Sequence, residues 1–254
     1  MLDRFKRRIN YLRISVTDRC NLRCHYCMPE NDPCMLRHED MLTFEEIQQV
    51  VAIAVPLGVD KVRLTGGEPL VRKDIEKLVS MIAAVPGVRD IAMTTNGVLL
   101  EKFAESLDTV DPDKFREITR GGDIRRVFRG IRAAKEAGLS PVKVNCVVAK
   151  DSLEPDALQV GEYCRENGLE VRYITQMNLE TGNFGVVQGG TGGDCRHCNR
   201  LRLTSDGKMK PCLFSDIAFD IRELGIQEAM ERALGAKPEK GTVNHGNRFH
   251  NIGG

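Results

Sequence analysis

At 254 residues the chain can bury a sizeable core, as one large α/β domain or one domain with an appendage. Lys and Arg number 37 against 36 Asp and Glu, which excludes a general nucleic-acid or membrane surface built on a basic excess. No apolar stretch spans a bilayer and the basic N-terminus lacks a signal-peptide core, so a cytoplasmic location is expected, where the nine cysteines are not a disulfide framework.

Tyr11–Val16 reads as a strand running into Thr17-Asp18, and Cys20, Cys24 and Cys27 follow on a loop as Cys-x3-Cys-x2-Cys. Thr43-Phe-Glu-Glu46 is a capping box, and the helix it opens carries Ile47, Val50, Val51 and Ala54 on one face. Val62–Thr65 is the next strand, followed by a Gly66-Gly67 turn and a helix through Ile75, Leu78, Val79 and Ile82. Ile91–Thr95 is a third strand, ending at Asn96-Gly97 and followed by a helix at Leu99–Glu105. Ile124–Ala137 has the spacing of an amphipathic helix stopped by Gly138. Val142–Val148 is a buried strand, Asp156–Asn167 a helix and Glu170–Ile174 another strand. This alternation predicts parallel βαβ units with functional residues at the C-terminal strand ends, in the turns after Val16, Thr65 and Thr95.

Residues 182–194 are rich in glycine and read as a flexible connection. They separate an expected domain of residues 1–181 from a C-terminal segment, 195–254, with one helix near Ile221–Leu234 and a polar tail ending in Gly253-Gly254. Cys195-x2-Cys198-x13-Cys212 is a second set of three cysteines. Cys146 and Cys164 fall in an apolar strand and a helix, as buried thiols do, and Cys34 falls in a loop.

Three thiolates on an iron–sulfur cubane leave one iron open, which is how a metal site meets a substrate. Zinc remains an alternative on spacing alone, with His25 or His197 as a fourth ligand.

The first cysteine set, with Tyr26 before its last member, resembles the signature of the radical S-adenosylmethionine (SAM) superfamily. Cys198-Asn-Arg200-Leu-Arg202-Leu-Thr-Ser-Asp-Gly207 and Pro211-Cys212 resemble the MoaA family of molybdenum cofactor biosynthesis, the GTP 3′,8-cyclases. So do Leu12–Cys20, Leu42–Glu46, Val62–Pro69, Thr94–Gly97, Pro141–Cys146 and the terminal Gly253-Gly254.

The resemblance implies two [4Fe–4S] clusters, held by Cys20, Cys24 and Cys27 and by Cys195, Cys198 and Cys212. It implies SAM contacts from Tyr26, Gly66, Gly67, Glu68, Thr94, Thr95, Asn96, Ser106 and Met177, with the Glu68 carboxylate gripping the SAM amino group. Arg13, Arg63, Lys143, Arg172, Arg200 and Arg202 would line the GTP site, and Gly253 and Gly254 would thread into it. A radical made at the first cluster would abstract the ribose 3′ hydrogen, after which the carbon attacks C8 of guanine. GTP, an external reductant, a cyclic pyranopterin monophosphate synthase receiving the product, and a second copy in a homodimer are the implied partners.

Two stretches depart from the family. Ser106-Leu-Asp-Thr-Val-Asp-Pro112 follows the third-strand helix with no room for the strand that normally precedes it, and the segment from Gly182 to Cys195 is short. The expected fold is therefore α/β, an incomplete parallel (βα) barrel of radical SAM type lacking one strand, plus a C-terminal cluster-binding segment. The alternatives are another radical SAM enzyme with an auxiliary cluster, or a non-catalytic metal-binding relict of the cyclase.

Overall fold

The computed structural model describes residues 1–28, 35–100 and 109–252. Three parallel strands begin the fold, β1 (Tyr11–Ser15), β2 (Lys61–Thr65) and β3 (Asp90–Met93). The helices between them are α1 (Phe44–Ala54) and α2 (Ile75–Ala83). The Thr43 capping box forms as expected, with Glu46 N donating to Thr43 Oγ1 and Thr43 N to the Glu46 carboxylate. Next come α3 (Pro112–Ile118), α4 (Ile124–Glu136), β4 (Lys143–Val148), α5 (Pro155–Glu166) and β5 (Glu170–Thr175). The C-terminal part adds β6 (Arg200–Leu203), β7 (Lys208–Lys210), β8 (Phe219–Asp220), α6 (Ile221–Leu224), α7 (Ile226–Gly235) and α8 (Phe249–Ile252).

The sheet order is β3-β2-β1-β6-β7-β8, with β6 parallel to β1 and the last two strands antiparallel. β4 and β5 form a separate parallel pair. Among the described residues no strand joins β3 to β4, so the barrel is open where the sequence predicts a strand to be lacking. Residues 101–108, with Ser106 and most of the helix expected at Leu99–Glu105, lie outside the described residues, as do Cys34, Gly253 and Gly254.

The period-two alternation of the strands sorts the two faces of the main sheet. Leu12, Ile14, Val62, Leu64, Leu201 and Leu203 point away from the lumen onto Ile47, Val50, Leu78, Ile82 and Met230, and all are fully buried. Their neighbours Arg13, Arg63, Arg200 and Arg202 line the lumen instead. A second core forms under the detached pair, where Val144, Cys146 and Val148 meet Val127, Ile131, Val160 and Cys164.

Three expectations change. The glycine-rich segment is not a loose connection, because it folds along the outer edge of β5. There Tyr173 and Gln188 exchange backbone hydrogen bonds at 3.0 Å. Glycine is required at Gly193, where φ is +75° and a Cβ would lie 1.8 Å from Gly185 O. The segment after residue 194 shares the main sheet through β6 and the main core through Ala229, Met230 and Ala233. The single helix expected near Ile221–Leu234 is two, because Gly225 adopts φ 81° and ψ 154° between α6 and α7. Among the described residues no helix is long and apolar enough to cross a membrane.

Candidate active site

The first cysteine loop leaves the C-terminal end of β1 and is anchored at both ends. Gly67 N donates to Thr17 O at 2.7 Å and Glu68 N to Arg19 O at 2.8 Å. Farther along, Arg23 N and His25 N donate to Thr119 O and Ile118 O at the end of α3, both at 3.2 Å. Cys20 Sγ accepts from Leu22 N at 3.4 Å and from Asn96 Nδ2 at 3.5 Å. Burial pushes the Cys20 thiol up despite these donors.

Gly66 and Gly67 are expected to bring backbone close to a ligand, and both do face the cavity. Their tightest approach, however, is to the cysteine loop's own root. A Cβ at Gly66 would lie 2.4 Å from Thr17 O, and one at Gly67 would lie 2.3 Å from Arg19 O.

Cys20, Cys24 and Cys27 line a cavity of about 200 Å³ together with Tyr26, Gly66, Gly67, Thr94, Thr95, Asn96 and Met177. Glu68 does not line it. Its fully buried carboxylate accepts from Thr95 Oγ1 and Asn96 N at 2.6 Å and from Leu70 N at 3.0 Å, and burial pushes its pKa up. With these three donors the carboxylate braces the ends of β2 and β3 against each other.

A second cavity of about 380 Å³ opens at the other end of the same lumen, among the first residues of β1, β2 and β3. Cys195, Cys198, Cys212, Arg13, Arg63, Arg172, Arg200 and Arg202 all line it. Thr94, Asn145, Ile174 and Met177 line both cavities, so the two thiol trios flank neighbouring cavities that share a wall.

Strand register explains the cationic wall. Arg13 stands beside Arg63 on β2 and beside Arg202 on β6, which sets three guanidinium-bearing residues in one row across neighbouring strands. Like charges directly opposite one another destabilise a sheet. Burial, then the nearby Arg202, pushes Arg13 well down, and burial with Arg200 pulls Arg202 down to about 10, where it is still protonated at neutral pH. Arg172 is pushed down by burial and Arg63. Among the described residues Arg172 Nε and Arg200 Nε are buried donors without an acceptor. Guanidinium forks in such an array suit an anion with several oxygens to offer.

Lys143 is the exception among the expected cations. It lines neither cavity, because its register partner across β4 and β5 is Glu170 and the two side chains form an ion pair.

Several lining residues escape the motif reading. Tyr11 accepts a hydrogen bond from Arg63 Nε and lies under Arg200, 5.7 Å from its ring centroid. It sits two residues before Arg13, so strand alternation alone could have found it. Lys237 and Phe249 arrive from distant segments with no local signal. Lys237 draws the Cys198 thiol down against the upward push of burial.

Neither candidate histidine lines the cavity of its cysteine trio. His25 is engaged at both ring nitrogens, by Glu117 O at 3.0 Å and Arg120 Nε at 3.2 Å, and His197 is an exposed partner of Asp194. Among the described residues no three His, Cys, Asp or Glu side chains converge tightly enough for a single metal ion. Each thiol trio lines the wall of its own cavity.

Comparison with known proteins agrees with this geometry. Residues 14–164 match the Radical SAM superfamily and residues 154–245 match Molybdenum Cofactor Synthesis C. The GTP 3′,8-cyclase of Alkaliphilus oremlandii is 39% identical over 300 positions, covering 94% of each chain. That of Moorella thermoacetica is 38% identical over 312, covering 97% of this chain and 96% of its own. An alignment of 300 positions against 254 residues leaves at least 46 (300 − 254) with no residue in this chain. In fold, SuiB of Streptococcus suis superposes with a TM-score of 0.62 at 17% identity, over 90% of this chain and 66% of that one. anSMEcpe with bound AdoMet gives 0.60 at 16% identity, over 90% and 81%. The chain belongs to the radical SAM superfamily and, within it, to the GTP 3′,8-cyclase family of molybdenum cofactor synthesis.

Proposed function

We propose that the chain is a radical SAM lyase, a GTP 3′,8-cyclase that converts GTP to (8S)-3′,8-cyclo-7,8-dihydroguanosine 5′-triphosphate. The observation that carries this reading is the in-register row Arg63, Arg13 and Arg202, which lines one cavity with Cys195, Cys198 and Cys212. When bound, the first cluster and SAM with an external reductant supply a 5′-deoxyadenosyl radical that takes the ribose 3′ hydrogen, and the second cluster supplies an open iron for the guanine edge.

The chain's own residues position the reactants. Cys20, Cys24 and Cys27 hold the first cluster, and Cys195, Cys198 and Cys212 hold the second. Tyr26, Gly66, Gly67, Thr94, Thr95, Asn96 and Met177 form the SAM wall, with Glu68 holding Thr95 and Asn96 in place. Arg13, Arg63, Arg172, Arg200 and Arg202 grip the triphosphate oxygens through guanidinium forks. Thr94 and Asn145, which face both cavities, lie where the ribose must pass. The product would go to the cyclic pyranopterin monophosphate synthase.

Anaerobic reconstitution followed by SAM, reductant and GTP tests the proposal. About eight irons per chain, two [4Fe–4S] clusters, with 5′-deoxyadenosine and a cyclised nucleotide are expected. Deoxyadenosine without a nucleotide product would point to a different radical SAM substrate. Bound zinc without SAM cleavage would make the chain a metal-binding relict.

A further inference from the structure

Lys237 follows the C-terminus of α7 and is 2% exposed. Among the described residues its ammonium meets two backbone carbonyls, Arg200 O at 2.6 Å and Pro211 O at 2.8 Å, and the Cys198 thiol. No carboxylate pairs with it among those residues. A buried ammonium facing only neutral carbonyls is costly unless an opposite charge stands nearby. The Cys198 thiol is within hydrogen-bonding reach of the ammonium, so an anionic cluster held at these cysteines would stand beside it.

The two carbonyls are also informative by their place in the chain. Arg200 lies two residues after Cys198, and Pro211 immediately precedes Cys212. One side chain therefore ties together the two backbone segments that present these thiols.

We propose that Lys237 is a positioning residue of the second cluster site, clamping the Cys198 and Cys212 segments at a fixed separation and placing its ammonium group beside the cluster. The inference rests on the reading that Cys195, Cys198 and Cys212 hold a cluster. Charge beside a cluster and hydrogen bonds to its sulfurs raise its reduction potential, and groups outside the ligand set fix ligand orientation. Lys237 does both from a single position. Its charge makes the second cluster easier to reduce than the thiolates alone would allow.

The test uses the full chain with Cys20, Cys24 and Cys27 changed to alanine, so that the second site is read alone, and adds Lys237→Gln, Lys237→Arg or Lys237→Met. Iron and labile sulfide per chain report the clamp, and an EPR-monitored redox titration reports the charge. K237R should keep both wild-type values and serves as the folding control. K237Q, which keeps hydrogen-bonding capacity but not charge, should retain iron and shift the midpoint potential to more negative values. K237M should lose more than half of the bound iron. An unshifted potential in K237Q overturns the charge role, and full iron in K237M overturns the clamp. If the background bearing Lys237 binds no iron, the cluster assignment itself fails, a result distinct from either of the others.

Discussion

A methyl group at Gly67 would stand 2.3 Å from Arg19 O, 2.6 Å from Arg19 C and 2.7 Å from Asp18 O, all backbone atoms at the root of the first cysteine loop. Backbone cannot swing aside as a side-chain end can, so Gly67→Ala must move the loop. Overpacking of this kind costs about 1–3 kcal/mol. G67A is therefore expected to melt earlier and, on reconstitution, to lose iron from the first site while the second stays filled. Iron counts that match the wild type would show that the loop tolerates the shift. Arg172 offers a complementary test. Its buried Nε has no acceptor among the described residues, and a hydrogen bond to a charged group contributes about 1.5–3 kcal/mol. Arg172→Ala should weaken GTP binding by about ten- to a hundredfold in calorimetry on the reconstituted protein without SAM. Arg172→Lys should recover only part of it, since a lysine lacks the fork. At this scale the sequence was informative where function is contiguous: Cys20, Cys24, Cys27 and the Gly66-Gly67 pair lie within single turns. What Gly67 packs against, and that Glu68 faces Thr95 rather than the cavity, depends on strands brought together only by folding.

Between elements, one carboxylate adds a polar tie between α1 and the C-terminal part to the apolar core they share. Glu46 completes the Thr43 capping box and also receives Arg222 from α6, through Nε at 2.9 Å and Nη2 at 3.1 Å. The Arg222 fork holds the Glu46 carboxyl below its ordinary 4.5 against the upward push of burial, with a smaller downward contribution from the Thr43 N–H. A folded-state pKa below the unfolded one means that the unfolded chain binds more protons as pH drops. The stabilisation from Glu46 is thus present above about pH 4.5 and lost as pH falls through the depressed value. Arg222→Ala should destabilise by about 1 kcal/mol at pH 7, and the gap from wild type should narrow in chemical denaturation below pH 4. A gap independent of pH would mean that Arg222 acts through packing alone. The capping box was legible because its partners are three residues apart, whereas Arg222 lies 176 residues from Glu46 and no local pattern announces it. Lys143 shows the same limit from the other side. Its motif pointed to the nucleotide site, but a register partner of opposite charge at Glu170 holds it outside.

Over the whole molecule the decisive feature is that, among the described residues, the strands fall into a six-stranded sheet and a two-stranded one. The departure from the family before Ser106 was visible in the sequence as a strand with too few residues to form it. The sequence could not show how the rest would respond. The glycine-rich segment covers the outer edge of β5, and β6 binds the C-terminal part into the main sheet. The two units also have separate apolar cores, one around Ile14 and Leu64 and one around Val144 and Val160. A two-stranded pair depends on the helices packed against it, here α4 and α5, for its stability. Local opening should therefore be cheaper for that unit than for the main sheet. Native-state hydrogen exchange is expected to show the amides of Val144 and Val147 exchanging at least about tenfold faster than those of Ile14 and Leu64, a difference of about 1.4 kcal/mol in opening free energy. Adding GTP and SAM to the reconstituted protein should narrow this difference, because Asn145, Arg172 and Ile174 of the smaller unit and Arg13 and Arg63 of the larger one line the same cavity. A ligand gripped from both sides stabilises only the state in which the two units are docked. Equal protection in both units before ligand is added would show that the missing strand leaves no mechanical seam, and the open wall would then have to be closed by contacts other than strand pairing.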